Sequence, residues 1–352
     1  MQLHPHKEIH FMPEKKKAVL LVNVGTPDRP DTTAVRRYLT HFLNDKRIMD
    51  IPWLFRKVLV NLIIVPFRAP RSARLYRRLW TPQGSPLVLN MEKFATGLQK
   101  NLGISFHVYT AMRYGNPSLA KTLEDIRIQG FDEIIVFPLF PQYASSTTGT
   151  IFDFVLSQIK RWHVIPELRF VNQFYDHPGY LDAFASKIAA CHPETFDHVV
   201  FSYHGLPNRH IERVHPGISA AGCSCETALP KHGKHCYKAT CYETSRMLAQ
   251  KLHLDKSHYT VSFQSRFSKN WLQPFTDQVI RELAEKGVRK VLVAVPSFVA
   301  DCLESLIEIR MENGDLFRQY GGEQLILVDS LNNDKKWIEA AADIIRSAGV
   351  TI

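Results

Sequence analysis

The same order of strand-like motifs occurs twice along this chain, and this repeat limits its fold more than any other feature. Each copy begins with an apolar strand that ends in Gly-x-Pro. A strand closed by arginine follows, and then a strand that runs from glycine to proline and leads into a loop and a helix. The three pairs of matching segments are residues 17–27 and 196–207, 106–113 and 259–266, and 130–138 and 287–296.

Helical patterns lie between these strands, for example at residues 92–102, 119–129, 278–286 and 336–348. Strands that alternate with helices are typical of an α/β fold with mostly parallel sheets. Two similar halves leave a cleft between the carboxyl ends of their strands, where open parallel sheets bind ligands. The predicted division is a flexible tail at 1–16, a first half at 17–165, a second half at 166–332 with an insertion at about 215–242, and a C-terminal helix at 333–352.

The composition of the chain and the length of its apolar runs indicate where in the cell the protein is located and which partners it has. Of the 352 residues, 45% are hydrophobic and 22% are charged, as in ordinary globular proteins. No apolar run reaches the roughly 18 to 20 residues needed to cross a bilayer, and the N-terminus lacks the apolar region of a signal peptide. We therefore expect a cytoplasmic protein. We expect no nucleic-acid partner, because the basic residues are not interleaved with an aromatic stacking surface.

The formal net charge of +10 still permits an anionic substrate or a membrane surface as partner. Much of this charge lies in residues 51–78, which also contain tryptophan and a long apolar stretch. Such a segment is typical of a helix that lies in a bilayer interface. A core helix with a solvated basic end explains the pattern equally well. Peripheral association with the inner face of a membrane is therefore one of two hypotheses for this segment.

Ionisable side chains follow the ends of two apolar strands in the second copy of the repeat. His204 ends the first of these strands, and a helix with Glu304, Glu308 and Glu312 follows the second. Like charges four residues apart destabilise a helix mildly, so the glutamates favour a shared cation over a solvated helix face. An imidazole and a ladder of carboxylates in one crevice predict metal binding and proton transfer.

Two further groups of side chains are candidate anion sites. Within the loop at residues 138–150, Ser145, Ser146, Thr147 and Thr148 form a run of hydroxyl groups, which suits an anion at a helix start. On its own, simple capping of the helix is the better explanation of this loop. Two arginine pairs suit carboxylates held by two-pronged contacts, and they are Arg36 with Arg37 and Arg77 with Arg78.

Four of the six cysteines lie in one short segment that interrupts the α/β pattern, namely Cys223, Cys225, Cys236 and Cys241. In a chain with no export signal, clustered thiols indicate a metal site before disulfides. Four thiolates suit either tetrahedral zinc or an iron–sulfur cluster. Because their spacing fits no zinc-finger pattern well, the spacing alone leaves the metal open.

Together, these motifs resemble the ferrochelatase family, the terminal enzymes of protohaem synthesis. The resemblance runs from about Val19 to Leu331. Its motifs are Phe-Ser-Tyr-His-Gly-Leu-Pro at 201–207, Asp-Cys-Leu-Glu at 301–304, and further matches at 22–27, 84–86, 141–149 and 263–266. The resemblance implies two Rossmann-like halves with parallel four-stranded sheets, a chelatase-like fold, and a cleft between the halves.

The resemblance also implies a lyase that inserts Fe²⁺ into protoporphyrin IX, with release of two protons, to form protohaem. His204 and Glu304 would form the metal-insertion pair, and Glu308, Glu312 and Asp301 would belong to the path of the iron. The porphyrin contacts would come from a larger set of residues, namely Val24, Arg36, Arg77, Arg113, Tyr143, Ser146, Thr147 and Thr148.

Many members of the family carry a [2Fe–2S] cluster, so the resemblance favours iron–sulfur over zinc in the cysteine-rich insertion. Where animal members have a cluster cysteine in the Pro-Gln-Tyr loop, this chain has Ser145. Any cluster must therefore use the internal quartet Cys223, Cys225, Cys236 and Cys241.

Two other functions stay open on the sequence. The first is a cobalt or nickel chelatase for a different tetrapyrrole, because a histidine–carboxylate pair suits any divalent cation. The second is a non-enzymatic haem- or metal-binding protein, or an iron–sulfur sensor, of the same fold.

Overall fold

A computed structural model describes residues 15–215 and 217–347. The strands within these residues are β1 (Lys17–Gly25), β2 (Phe106–Tyr114), β3 (Glu133–Pro138), β4 (Glu167–Phe170), β5 (His198–His204), β6 (Tyr259–Gln264), β7 (Lys290–Ala294) and β8 (Gln324–Leu327). The α-helices are α1 (Thr32–Leu43), α2 (Trp53–Val58), α3 (Val65–Leu79), α4 (Pro86–Leu102), α5 (Leu119–Gln129), α6 (Thr150–Ile159), α7 (Pro178–Ala189), α8 (Asn208–Glu212), α9 (Tyr237–Lys251), α10 (Thr276–Glu285), α11 (Gly314–Gln319) and α12 (Lys335–Ser347). Three π-helical segments, Leu59–Ile64, Ser145–Gly149 and Glu304–Asn313, complete the regular structure together with short 3₁₀ turns.

The strands form two four-stranded parallel sheets with the same topology. The order is β2-β1-β3-β4 in the first sheet and β6-β5-β7-β8 in the second. In each sheet the earliest strand of the half is central, and the next two strands pair with its two edges. This shared order confirms the predicted α/β fold with two similar halves.

The central strands are buried on both faces, which explains their uninterrupted apolar sequences. Ala18 to Val22 of β1 have no exposed surface, and Val199 to Tyr203 of β5 are likewise buried. A helix packs over each face, as crossover connections between parallel strands require. The polar residues that end these strands are therefore left at the rim of the sheets.

One hydrophobic core extends through both halves. Its members include Val19 of β1 and Phe201 of β5. Trp337 of α12 lies within it, with its ring 5.4 Å from that of Phe94 on α4 and 5.5 Å from that of Phe174, measured between centroids. The C-terminal helix therefore joins the two halves through shared apolar contacts.

The strand β4 lies beyond residue 165, where the sequence placed the boundary between the halves. It pairs with β3, so the first sheet continues to Phe170. The strand is only four residues long and half polar, which is why its sequence gives little strand signal. The rest of the predicted division stays a prediction. Residues 1–14 of the predicted tail and residues 348–352 of the predicted C-terminal helix lie outside the described residues.

Candidate active site

Two neighbouring strand ends define the candidate site. β5 ends at His204, and β7 leads through residues 295–303 into the π-helix Glu304–Asn313. Because β5 and β7 pair in parallel, their carboxyl ends lie at the same edge of the sheet. The charge of Glu304 acts directly on the imidazole of His204. The structure thus places the imidazole and the first carboxylate in one cleft.

The local backbone fixes the protonation of His204. Its Nδ1 atom lies 2.7 Å from the carbonyl oxygen of Gly205, and because a carbonyl only accepts, Nδ1 carries the hydrogen. Withdrawal from solvent lowers the pKa of His204 below 6.5, although Glu304 and the Gly205 carbonyl oppose this shift. The ring is therefore neutral at pH 7 and has a free lone pair on Nε2.

Gly205 is needed at this strand end because the chain passes very close to β6. Its N–H donates to the carbonyl oxygen of Gln264 at 2.7 Å. A β-carbon at this position would lie 2.8 Å from that same oxygen, closer than real side chains come. Any larger residue would therefore displace the segment that holds His204.

The carboxylates lie on a π-helix, a type that sequence periodicity does not foresee. Such helices are rare in proteins and are frequent at functional sites. Burial, together with repulsion from Glu304 and Glu312, raises the pKa of Glu308 to about 8. A hydrogen bond from the hydroxyl of Ser265 opposes it. Glu308 is consequently protonated at neutral pH.

Ser265 donates that hydrogen bond from a left-handed backbone conformation, with φ of 63°. Such a conformation costs about 1 kcal/mol or more for a residue other than glycine. Backbone strain of this kind is concentrated at functional sites, where the surrounding structure enforces it. The position of Ser265 is therefore consistent with a role in orienting the carboxyl group of Glu308.

Asp301 has a different environment from the glutamates. Its Oδ1 atom accepts from the hydroxyl of Ser305 at 3.2 Å and from the N–H of Ser330 at 3.3 Å. Its Oδ2 atom accepts from the side-chain amide of Asn332 at 2.7 Å. With both oxygens occupied, this buried carboxylate holds two loops together. The prediction that Asp301 belongs to the iron path has no support in this geometry.

Three residues of the first half adjoin the site, and the sequence analysis missed them. Tyr38 of α1 and Tyr76 of α3 lie near Glu304, and burial of their hydroxyls followed by nearby negative charge raises the pKa of both above 10. The charge of Arg68 acts on both His204 and Glu308. In the sequence, these two tyrosines occupy positions with the periodicity of a helix face that packs in a core. Their polar hydroxyl groups were therefore the one feature of the sequence that could have indicated a site.

A cavity of about 610 Å³ is lined by residues of both halves. Ten residues line it, namely Lys46, Arg47, Asp50, Ile51, Arg56, Tyr143, Ser145, His210, Arg213 and Val214. Its volume lies within the range of small-molecule sites. The positive side chains outnumber the single aspartate, so the cavity suits an anionic ligand.

Asp50 links the two sides of this cavity. Its carboxylate accepts hydrogen bonds from Arg209, and Arg213 lies 2.6 Å away. Burial alone would raise the pKa of Asp50, but the hydrogen bond from Arg209 and the neighbouring positive charges lower it to about 2. The aspartate is therefore ionised throughout the physiological range and connects the loop after α1 to the helix α8.

The residues predicted to contact a porphyrin fall into two groups. Tyr143 lines the cavity directly. Arg113 does not point freely into it, because its guanidinium lies 2.7 Å from Asp45 and its Nε atom donates to Thr150 at 3.0 Å. Val24 is half-buried at the end of β1, whereas Arg36 and Arg77 are exposed.

The hydroxyl-rich loop forms the π-helical turn Ser145–Gly149. None of its hydroxyl groups caps the turn or the helix that follows, so the capping explanation is wrong. Ser145 instead accepts from Arg47 at 3.0 Å. The hydroxyl of Thr148 is buried and has no hydrogen-bond partner in the described structure. Ser146 is buried and Thr147 is half-buried beside it.

The four clustered cysteines are buried free thiols in the second half. Burial and the nearby Cys223 and Cys236 together raise the pKa of Cys225 to about 12, although the charge of Lys238 opposes the shift. Cys241 interacts with Cys225 and Cys236, but its thiol also contacts Tyr237. Adjacent buried thiols are the donors that zinc and iron–sulfur clusters use, so the donor chemistry fits a metal centre.

Tyr237 connects the cysteine cluster to the candidate active site. It follows Cys236 directly and begins α9. Its hydroxyl donates to the carbonyl oxygen of His204 at 2.9 Å and lies 3.3 Å from the hydroxyl of Ser297. One side chain therefore contacts both Cys241 and the backbone of the strand end that holds His204.

The segment at 51–78 forms a helical arm made of α2, the π-helical Leu59–Ile64 and α3. One face packs in a core cluster with α1 through Val60, Val65 and Ala69. The other face exposes seven large apolar side chains, namely Trp53, Leu54, Phe55, Val58, Leu62, Ile63 and Phe67. Across the described ranges, no helix has both the length and the hydropathy to span a bilayer.

Comparison with known proteins gives consistent matches. A model of the ferrochelatase family matches residues 16–348. The chain is 40% identical over 336 residues to a ferrochelatase of Legionella pneumophila (strain Paris), covering 94% of this chain and 98% of the relative. It is also 40% identical over 338 residues to a ferrochelatase of Coxiella burnetii (strain Dugway 5J108-111), covering 95% of this chain and 94% of the relative.

Among solved structures, the fold is similar to that of SirB from Bacillus subtilis with Fe³⁺, with a TM-score of 0.54 and 11% identity over 95% of this chain and 96% of that chain. It is also similar to the sirohydrochlorin chelatase SirB from Bacillus subtilis subspecies spizizenii in complex with cobalt, with a TM-score of 0.52 and 10% identity over 95% of each chain. At this level of identity, the similarity concerns the fold alone.

Proposed function

This chain belongs to the ferrochelatase family, whose members are metal-chelating lyases, and we propose that it inserts Fe²⁺ into protoporphyrin IX with release of two protons. The observation that best supports this reaction is the arrangement at the strand ends. A neutral imidazole with its free lone pair on Nε2 lies beside a ladder of carboxylates that begins at Glu304.

His204 is the proposed proton acceptor. A free-base porphyrin carries two pyrrole N–H groups, and both protons must leave as the iron enters the ring. The Gly205 carbonyl holds Nδ1–H, so the incoming proton is accepted at Nε2. Glu304 stabilises the imidazolium that forms, because its charge raises the proton affinity of the ring.

The three glutamates are the proposed oxygen donors for the incoming iron. Hydrated Fe²⁺ binds carboxylate oxygens readily. Glu308, which is protonated at neutral pH, loses its proton when a cation approaches, because the cation favours the charged carboxylate. Glu304, Glu308 and Glu312 thereby form a path along one helix toward His204. Asp301 is left out of this path because its oxygens are already occupied.

The proposed porphyrin site is the cavity that residues of both halves line. Protoporphyrin IX carries two propionates, which the excess of positive side chains on the cavity wall, Arg47 and Arg213 among them, would attract. Tyr143 would contact the ring. For Arg113, the contact with Asp45 supports a role in positioning the loop that contains Asp45 rather than in direct binding of the porphyrin. Val24, Arg36, Arg77, Ser146, Thr147 and Thr148 remain proposed contacts from the resemblance.

The test is anaerobic turnover of Fe²⁺ with protoporphyrin IX, followed by the loss of porphyrin fluorescence. We expect His204→Ala to reduce kcat by about 10²- to 10⁴-fold, because the general base is removed, while porphyrin still binds. Glu304→Gln should also reduce kcat severely. His192→Ala is the matched control, since its side chain is 74% exposed at the surface.

Each outcome of this experiment has a distinct meaning. Unchanged turnover in His204→Ala would refute the proposed base. Porphyrin binding by the wild type without turnover would favour the non-enzymatic haem- or metal-binding alternative. Faster insertion of Co²⁺ or Ni²⁺ into another tetrapyrrole would favour the second enzymatic alternative, because oxygen and imidazole donors discriminate poorly among divalent cations.

We further propose that the cysteine-rich insertion holds a metal centre. The resemblance to the family favours a [2Fe–2S] cluster on Cys223, Cys225, Cys236 and Cys241, with zinc as the alternative that the spacing leaves open. When bound, such a centre would supply electron-transfer or structural chemistry. Anaerobically purified protein should be coloured and contain sulfide in proportion to iron. Colourless protein with stoichiometric zinc would overturn the cluster.

The exposed face of the helical arm supports a proposal of peripheral docking on the cytoplasmic surface of an anionic membrane. Phe67 is 79% exposed and Phe55 is 71% exposed, and basic side chains continue along α3. Burial of aromatic side chains at the interface and attraction of basic residues to anionic lipid both favour such binding.

This docking is tested by co-sedimentation with phosphatidylglycerol vesicles. The wild type should sediment with the vesicles, and the double variant Phe55→Ser, Phe67→Ser should lose most of this binding. Ile104→Ser is the matched control, because Ile104 is 93% exposed outside the arm. Equal sedimentation of all three proteins would exclude the arm as the docking surface.

A further inference from the structure

Most of the basic side chains that line the cavity are already paired with carboxylates. Lys46 and Arg47 lie 3.3 and 3.4 Å from the carboxylate of Asp153. Arg213 lies 2.6 Å from the carboxylate of Asp50. Among the described residues, these ion pairs therefore engage three of the four lysines and arginines of the cavity wall.

The fourth of these cations, Arg56, is buried without a counter-ion. It is 8% exposed, and within the described ranges no carboxylate lies at ion-pair distance from its guanidinium. Its Nη1 atom donates to the carbonyl oxygens of Met49 at 3.2 Å and Ile51 at 3.0 Å, and its buried Nε atom has no hydrogen-bond partner there. Because a charge withdrawn from water is costly unless it is paired, this guanidinium indicates an anionic ligand in the cavity.

His210 presents a further unpartnered nitrogen at the cavity wall. Its side chain is 8% exposed, and its Nε2 atom lies 3.5 Å from the carboxylate of Asp50. Because Asp50 is ionised and only accepts hydrogen bonds, the hydrogen of the neutral ring lies on Nε2. The Nδ1 atom is buried and has no hydrogen-bond partner in the part of the chain that the structure describes. A carboxylate can bind at this atom once Nδ1 takes up a proton and becomes a donor.

Arg56 and His210 contact the same short segment of the chain, residues 49–51, although they belong to different halves. Arg56 on α2 holds the carbonyl groups of the two outer residues of this segment, and His210 on α8 faces the central residue, Asp50. Both side chains line the cavity. The two unpartnered nitrogen atoms therefore adjoin one stretch of the cavity wall.

We propose that Arg56 and His210 form a subsite for one propionate of the porphyrin, with Nε of Arg56 and Nδ1 of His210 as its hydrogen-bond donors. This inference rests on the function proposed above, and it assigns the residues that select a porphyrin with a free carboxylate. The charges balance in the complex, because the guanidinium and the imidazolium face two carboxylates, that of Asp50 and that of the propionate. The proton on Nδ1 comes from solvent, and no covalent bond of the porphyrin changes in this step.

Binding at this subsite is coupled to protonation of His210. Burial lowers the pKa of His210, and the charges of Arg209 and Arg213 lower it further, whereas Asp50 raises it. The free imidazole is therefore neutral at pH 7. A bound carboxylate favours the charged ring, so binding of the porphyrin takes up one proton. The other ionisable groups of the cavity wall are Lys46, Arg47, Arg56 and Tyr143.

The first measurement compares the binding of protoporphyrin IX and of its dimethyl ester, which has no free carboxylate, by fluorescence titration without Fe²⁺. The wild type should bind the diacid more tightly than the ester. Arg56→Gln should weaken binding of the diacid at least about ten-fold and leave binding of the ester unchanged, because only the diacid makes charge-assisted hydrogen bonds. Arg281→Gln is the matched control, since the side chain of Arg281 is 53% exposed on α10. Equal affinity of the wild type for both porphyrins, or equal loss of both in Arg56→Gln, would overturn the proposal.

The second measurement follows the same titrations between pH 6.5 and 8. The affinity of the wild type for protoporphyrin IX should fall as the pH rises, by at most about ten-fold per pH unit, because one proton is bound with the porphyrin. His210→Gln should abolish most of this pH dependence, whereas the control His192→Gln, at a side chain 74% exposed, should keep it. An unchanged pH dependence in His210→Gln refutes the subsite. If Arg56→Gln fails to fold, this variant and the comparison of diacid and ester in the wild type decide.

Failure of the subsite is distinguishable from failure of the proposed function. Wild-type protein that binds neither porphyrin would refute both the proposed reaction and the subsite. Turnover of Fe²⁺ with protoporphyrin IX, together with equal binding of the diacid and the ester, would refute only the subsite and leave the chelatase reaction intact.

Discussion

At the scale of single residues, the candidate site combines a neutral base with a neutral acid. His204 is kept neutral by withdrawal from solvent, and Glu308 is kept protonated by burial and by the charges of Glu304 and Glu312. The same withdrawal from solvent lowers the pKa of His204 and raises the pKa of Glu308 to about 8, so both side chains are uncharged at neutral pH.

The raised pKa of Glu308 predicts a pH-dependent stability. Between 4.5, its ordinary pKa, and about 8, its value in the folded protein, the folded state holds a proton that the unfolded state has lost. The free energy of unfolding therefore falls as pH rises through this window, by at most about 1.4 kcal/mol per pH unit. Glu308→Gln should remove this contribution, so its melting temperature should decline less between pH 5 and 8.

Calorimetry at several pH values in that range measures the effect. Glu339→Gln is the matched control, because the side chain of Glu339 is 55% exposed on α12. If Glu308→Gln and the wild type lose stability in parallel as the pH rises, the carboxyl group of Glu308 is not the source of the pH dependence.

At the scale of elements, two π-helical segments and one α-helix carry residues of the candidate site and of the cavity. The π-helix Glu304–Asn313 presents the carboxylates, and the turn Ser145–Gly149 lies beside the cavity. The α-helix α9 carries Tyr237 at its first position, where the phenol reaches the backbone of His204. The start of a helix therefore positions a side chain of the candidate site, as the end of a strand does for His204.

Tyr237→Phe should lower kcat about 2- to 12-fold with little change in KM for the porphyrin. The variant loses one hydrogen bond to the strand end that positions His204, and such a bond contributes about 0.5–1.5 kcal/mol. The pH profile of kcat should also shift, which a purely structural defect would not cause.

Tyr242→Phe is the control for this variant, since Tyr242 lies on the same helix and its hydroxyl interacts with Glu226 instead. Metal content should be measured in both variants. Wild-type kcat and pH profile in Tyr237→Phe, with metal retained, would show that this tyrosine does not position the histidine.

At the scale of the whole molecule, the two halves share one core although each has its own sheet. Side chains of β1, β5, α4, α7 and α12 belong to the same cluster of buried residues, with Trp337 among them. Because residues of both halves line the cavity, the shared core also holds the two sides of the cavity at a fixed distance. Folding of one half therefore stabilises the other.

We predict that the wild type unfolds in a single cooperative transition and that Trp337→Ala lowers the free energy of unfolding by about 3–5 kcal/mol. Trp337 is 1% exposed, so the substitution leaves a large cavity where both halves meet. Scanning calorimetry measures both effects. Trp53→Ala, at a side chain 64% exposed, is the control and should change stability little. Two separate transitions, with only one shifted by Trp337→Ala, would contradict a shared core.

The amino-acid sequence by itself determined the fold class and pointed to the candidate site. Strand and helix patterns arise from residues that are close in sequence, so they are visible without a structure. The order of strands that occurs twice along the chain therefore predicted two parallel sheets, and the structure contains both. The same local patterns placed His204 at one strand end and the glutamates after another. The clustering of four cysteines was also visible without any tertiary contact.

Only the tertiary structure decided how these groups are used. Arg113 and Asp45 are 68 positions apart, yet their ion pair removes the arginine from the free cavity wall. Tyr38 and Tyr76 reach Glu304 from helices of the other half, and His215 meets Cys236 across a loop. Such contacts depend on where distant segments pack in space, and neither periodicity nor spacing along the chain carries that information.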